Sequence, residues 1–194
     1  MAKVIAPLFG FSASGKLANS LVYMKWKGIN DVRQYVIPAN PKTEDQNTQR
    51  GYMTSALTAW HAAGFIEADL TAWDRYAGTL SKIMSGFNAF VKKNIEALVA
   101  SKVFQVLVNA DFSSVTATAG TVVFDIAAEG TTYLHVGTSK TAFPDSYLGV
   151  FSTDHVTFTL AGNTASTKYY CYAQNTEGTD IGRTGIYDFI TPAA

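Results

Sequence analysis

The chain has a single cysteine, Cys171, among 194 residues. No intrachain disulfide and no multi-cysteine zinc site can be built from it. Histidine is almost as scarce: the three are His61, His135 and His155. None has a partner at a metal-ligand spacing. Charge of either sign is thin, with 15 Lys and Arg against 15 Asp and Glu and a formal net charge of zero. Nucleic-acid binding is not expected, because it needs a dense basic face. No apolar run is long enough to span a bilayer as a helix. The N-terminal MAKVIAPLFGF lacks the apolar core and cleavage site of a secretory leader, so synthesis in the cytoplasm and no membrane partner are expected.

What is abundant is apolar and aromatic: 47% of residues are hydrophobic and 13% are Phe, Trp or Tyr. That suffices for real cores and leaves rings to spare for interfaces. The content shifts near residue 100. Threonine occurs 6 times in residues 1–100 and 16 times in residues 101–194. Charge shifts with it, from net +4 to net −4, a pattern that favours head-to-tail packing of copies or reflects two solvated surfaces. A boundary at 100/101 follows, between a hairpin-and-helix domain (1–100) and an all-β domain (101–194).

In the first domain Val4–Phe9 is apolar and Gly10–Lys16 is a loop of small residues. Leu17–Trp26 and Val32–Ile37 read as strands, joined at Lys27–Asp31 with Gly28 and Asn30 able to take positive φ. Pro38 and Pro41 end the second strand. Three helices follow. The first starts at Thr43 with a capping box to Gln46 and the dipole-matched acids Glu44 and Asp45. Tyr52, Ala56 and Trp60 form its stripe, flanked by Met53 and Leu57, and Gly64 closes it. The second spans Leu70–Leu80 with Thr71 and Asp74 as a capping pair. The third begins after Ser85 and shows Phe87, Phe90, Val91, Asn94 and Leu98 on one face. The second domain offers strands at Val103–Val108, Ser114–Ala117, Thr121–Ile126, Thr132–Gly137, Tyr147–Phe151, His155–Leu160, Tyr169–Asn175 and Gly185–Ile190. Short strands at that spacing indicate a sandwich of two antiparallel sheets, and the fold class expected is α+β.

Few groups carry chemistry. Gly10-Phe-Ser-Ala-Ser-Gly15-Lys16 has the spacing of a phosphate-binding loop. It lacks the hydroxyl residue for Mg²⁺, since Leu17 follows, and the next segment reads as strand rather than helix. A plain Gly/Ser loop is the better reading. Cys171 lies among tyrosines in a strand and reads as a small buried hydrophobe. No Ser/His/Asp signature is present. Alternation places Tyr169 and Cys171 on one face of their strand and Tyr170 and Tyr172 on the other. The second pair is suited to a sugar or a partner, or to ordinary cross-strand packing. Arg33 and Arg50 flank the proline turn, where they can meet a neighbouring subunit or simply be solvated. The candidate interface residues are Trp26, Arg33, Tyr35, Arg50, Tyr170 and Tyr172. No catalytic residue, metal ligand or cofactor is expected.

Residues 155–191, HVTFTLAGNTASTKYYCYAQNTEGTDIGRTGIYDFIT, resemble the last three strands of a fibronectin type III domain. Leu160 matches the leucine before the E–F loop, Tyr169 the corner tyrosine that hydrogen-bonds back to that loop, and Asn175–Gly178 the F–G turn. The usual early tryptophan is absent and Phe124 takes its place in the pattern. The Pro-Gly common in the E–F loop is missing too. The resemblance implies a binding or spacer module. Over residues 9–95 the phrases WKGINDVRQYV, PANPKTEDQNTQR, AWDRYAG and SGFNAFVKKN are similar to a group of phage and prophage proteins. That resemblance implies a non-enzymatic virion component (head decoration, head fibre or tail-associated) found in the virion after synthesis in the host cytoplasm. Its expected partners are further copies of itself and other virion proteins. The alternative is a cell-surface or carbohydrate-binding module, with a host-surface glycan as partner.

Overall fold

A computed structural model describes residues 2–3, 14–17, 20–37, 39–40, 42–127, 129–175 and 180–193. The apolar Val4–Phe9 segment, most of the Gly10–Lys16 loop, Pro38, Pro41 and the turn residues 176–178 lie outside these. The chain divides into two compact units, residues 1–43 and 44–194. The division therefore falls before the first helix, not near residue 100.

The small unit is a four-stranded antiparallel sheet. Its strands are β1 (Ala2–Lys3), β2 (Gly15–Leu17), β3 (Leu21–Trp26) and β4 (Ile29–Gln34), in the order β1-β4-β3-β2. β3 and β4 are joined by two residues, with Trp26 opposite Ile29. Both loop residues take positive φ, Lys27 at 48° and Gly28 at 81°. That is the primed turn whose twist matches a hairpin. Asn30, expected in the turn, instead sits in β4 opposite Lys25. The Gly15-Lys16 pair lies in a strand, so no helix N-terminus follows it.

The large unit joins three helices to a β-sandwich. The helices are α1 (Glu44–Ala62), α2 (Glu67–Ala77) and α3 (Gly86–Val99). Only Ala56 of α1 is buried; Met53 and Leu57 are exposed, so a narrow stripe attaches it to α3. The capping reading for α2 needs correction. Asp69, not Thr71, satisfies the helix start by accepting from the Ile66 N–H at 3.0 Å. Asp74 caps a different helix, accepting from the Gly86 N–H of α3 at 2.7 Å. Ser85 caps α3 as its sequence indicates, accepting from the Asn88 N–H at 3.3 Å. A Cβ on Gly86 would stand 2.6 Å from the Asp74 nitrogen, so only glycine lets α3 start this close to α2.

Nine strands follow: β5 (Val103–Gln105), β6 (Leu107–Val115), β7 (Ala119–Ile126), β8 (Thr132–Gly137), β9 (Asp145–Ser152), β10 (His155–Ala161), β11 (Lys168–Asn175), β12 (Asp180–Arg183) and β13 (Tyr187–Ile190). They form the immunoglobulin/fibronectin-III-like sandwich expected. One side is β6-β7-β10 and the other β9-β8-β11, with β12 and β13 both on β11; β9 also pairs with β10 and joins the two. Inward residues alternate along β7, β8, β10 and β11 and supply the core, including Leu134, Val156, Phe158, Leu160 and Cys171. Phe124 is fully buried and meets Phe158 and Tyr187 edge-on. The Tyr169 hydroxyl accepts from the Thr164 N–H at 2.9 Å, which closes the tyrosine corner. The expected 103–108 strand is two strands, since β5 leaves to pair in parallel with β12. Ser114 belongs to a longer β6, and β12 was not anticipated.

The helices are built into the sandwich. The Ile186 N–H donates to the Ala72 carbonyl at 2.9 Å. Arg75 donates to the Ile186 carbonyl at 2.7 Å and pairs with Asp188 at 2.7 Å. Asp69 is fully buried and accepts from the Tyr187 hydroxyl and from the Asn109 N–H. Asn109 reaches it from a bulged stretch of β6, at φ 54°. Gly185 permits this seam: a Cβ there would lie 2.3 Å from the Ala72 carbonyl carbon.

Candidate functional site

Directly opposed residues of an antiparallel pair share a face. Trp26, Ile29, Met24, Asp31, Val22, Arg33 and Lys16 therefore lie on one face of the small sheet. Tyr35 continues the alternation after Arg33, and the Lys16 ammonium sits 4.6 Å from its ring centroid. Three of the interface residues read from sequence, Trp26, Arg33 and Tyr35, thus come together. A cavity of about 620 Å³ lies beside them, lined by Lys16, Gln34, Tyr35, Val36 and Ile37. No hydrophobic side chain described in this unit is buried, while Trp26, Val36 and Ile37 are 58%, 67% and 77% exposed. The fourth residue, Arg50, lies on α1 in the other unit, where its carbonyl accepts from the Thr54 hydroxyl at 3.0 Å.

The outer face of β8, β11 and β12 carries a second cluster. Tyr169 and Cys171 point inward and are buried; Tyr170 and Tyr172 are half-buried on the opposite face, as alternation requires. Tyr172 stacks on His135 at 4.8 Å between centroids and meets Phe143 edge-on at 4.8 Å. The Arg183 guanidinium lies 3.9 Å from the Tyr172 ring centroid and 4.3 Å from that of Tyr76 at the end of α2. The ammonium groups of Lys168 and Lys140 lie 5.4 Å and 5.8 Å from the Tyr170 ring centroid. Lys140, Thr141, Phe143, Tyr172, Arg183 and Ile186 border a cavity of about 330 Å³. That volume suits a single small ligand.

Burial lowers the Arg183 pKa, and neighbouring Tyr76 and Tyr172 counter it. Burial and then the Arg183 charge lower the His135 pKa. Cys171 is fully buried and its thiol pKa is raised by that burial, which keeps it protonated. His155 pairs with Asp154 at 2.7 Å and belongs to β10, so it does not join His135. Among the described residues no three His, Cys, Asp or Glu side chains gather as a metal site. The cluster offers cations, hydroxyls and ring faces: the means to bind a polar or anionic group.

Sequence reading located Tyr170 and Tyr172 and missed Arg183, Lys140, Phe143 and Tyr76. Their common signal is faint: Arg183 and Lys140 are two of only four Lys or Arg in residues 101–194.

No protein-family model matches the chain, and no curated protein matches it. Among solved structures, the chain is similar to a computationally redesigned β-sandwich protein at 16% identity and a TM-score of 0.36, covering 45% of this chain and 95% of that one. It is also similar to the sensor domain of an anti-sigma factor from Pseudobacteroides cellulosolvens, at 12% identity and a TM-score of 0.32, covering 46% of this chain and 74% of that one.

Proposed function

We propose that the chain is a non-enzymatic structural component of a phage particle. Residues 1–43 anchor it to neighbouring copies and other virion proteins, and the helix-braced sandwich projects. The observation that carries the reading is the small unit with no buried hydrophobic side chain described, with Trp26 and Ile29 exposed on its sheet and Val36 and Ile37 exposed in the segment after β4. Exposed apolar groups gathered on a short sheet gain free energy when a partner covers them. Charge favours a second copy as that partner. Residues 1–43 hold six Lys and Arg against one Asp, net +5, and residues 44–194 hold nine against fourteen, net −5. Opposite charge on the two units favours head-to-tail contacts between copies. The phage setting is supported by the phrases over residues 9–95. The helices, expected to share the anchor, belong with the projecting unit in this reading.

Mass spectrometry of purified particles from the phage or induced prophage that encodes the chain tests the setting. Peptides from it in many copies per particle are expected, and their absence from intact particles contradicts the proposal.

A further inference from the structure

Two arginines of the large unit differ in how their charge is met. Arg75 has the Asp188 carboxylate and the Ile186 carbonyl, both at 2.7 Å. Arg183 has no carboxylate partner among the described residues. Its neighbours are the rings of Tyr76 and Tyr172. Its Nε is buried without a hydrogen-bond partner. A cation withdrawn from water with an unmet donor costs stability unless something else meets it, and such exceptions concentrate at functional sites. Arg183 borders the 330 Å³ cavity, and Lys140 adds a second cation to its wall.

We infer that this cavity is a binding site for an acidic monosaccharide unit, with Arg183 and Lys140 holding the carboxylate and Phe143, Tyr172 and Thr141 meeting the ring. A guanidinium covered by ring faces hydrogen-bonds through its edge, the geometry that takes a carboxylate in two parallel bonds. The Phe143 and Tyr172 rings stand at 90° to each other at the border of the cavity, whose lining is otherwise mainly polar. Thr141 and Tyr172, both residues with a hydroxyl, line the same cavity. Small-ligand sites combine ring surface with a few placed polar groups. This inference goes beyond the particle role and does not rest on it, since the site lies wholly within the large unit.

The test is an NMR titration of the full chain with glucuronic acid, N-acetylneuraminic acid, glucose and acetate, following backbone amides and the Arg183 Nε–H. At least one acidic sugar is expected to shift the Arg183 Nε–H and the Tyr172 amide saturably. Glucose, which lacks the charged hydrogen-bonded pair, is expected to bind at least about tenfold more weakly, and acetate, which keeps the carboxylate but has no ring to meet Phe143 and Thr141, is expected to bind at least about tenfold more weakly too. Lys140→Ala, at an exposed position, should weaken the acid several-fold and leave the fold intact; Arg183→Met should abolish binding. Glucose binding as well as the acids, acetate binding as well as the sugars, no saturable shift with either acid, or an unchanged affinity in Lys140→Ala would each overturn the proposal.

Discussion

In residues 44–194 the sheets bury Leu107, Phe124, Leu134, Phe158 and Leu160 almost completely, and α2 docks on β13 through a seam of hydrogen bonds. In residues 1–43 the one buried side chain described is Asp31, and the large apolar groups face outward. The two sheets use the same backbone pairing, so pairing is not what separates them. The first is closed by its own side chains. The second leaves its apolar area for something else to cover, which is what an attachment element needs and what a self-sufficient domain avoids.

Substitutions should act differently on the two regions. The largest effect is expected at the seam. Gly185→Val would drive a side chain into the Ala72 backbone, which cannot rotate away, and should cost about 3 kcal/mol or more in chemical denaturation. Asp69→Ala comes next. It strands the buried Tyr187 hydroxyl and removes the acceptor of two part-buried backbone N–H groups, and should cost about 2–4 kcal/mol. A loss below about 0.5 kcal/mol at either site would place the helices outside the cooperative unit.

In the small sheet the opposite pattern is expected. Trp26→Ser with Ile29→Ser should change the melting temperature of the large unit little while reducing self-association in light scattering. A fall in melting temperature with association unchanged would remove the contrast between the regions.

The smallest effect is at His135. Its folded-state pKa lies below the ordinary 6.5, so the unfolded chain takes up the proton first. The contribution is complete above about pH 6.5 and is lost as pH falls towards the folded value. The melting temperature should therefore decline between about pH 7 and about pH 5, and His135→Phe, which retains a ring against Tyr172, should flatten that decline. An identical slope in the variant would contradict the assignment.

What the sequence disclosed was local. Ser85 starts α3 because a cap acts within a few residues, and the inward and outward faces of β11 follow from the two-residue period. Tyr169 was recognisable through the resemblance to the fibronectin type III pattern, and its hydrogen-bond partner lies five residues away. The misread parts depend on distant contacts. Arg75 meets Ile186 across 111 residues and Asp69 meets Tyr187 across 118, so nothing near the helices marks them as part of the sandwich unit. That is why a change in composition at residue 100 was mistaken for a boundary. β12 was missed because Asp180–Arg183 is too short and polar to read as a strand without β11 and β5 beside it. Arg183, the residue on which the candidate cavity turns, was missed with it. Trp26, Arg33 and Tyr35 were legible as conspicuous side chains, but their common face depended on the register set at Lys27-Gly28.

Sedimentation velocity of the intact 20.9 kDa chain over a wide concentration range tests the central claim most directly. Species larger than the monomer are expected, growing with concentration and disappearing in the Trp26→Ser/Ile29→Ser variant. A monomer at every concentration, or assembly that survives the double substitution, would contradict a role for the small sheet as the self-association anchor.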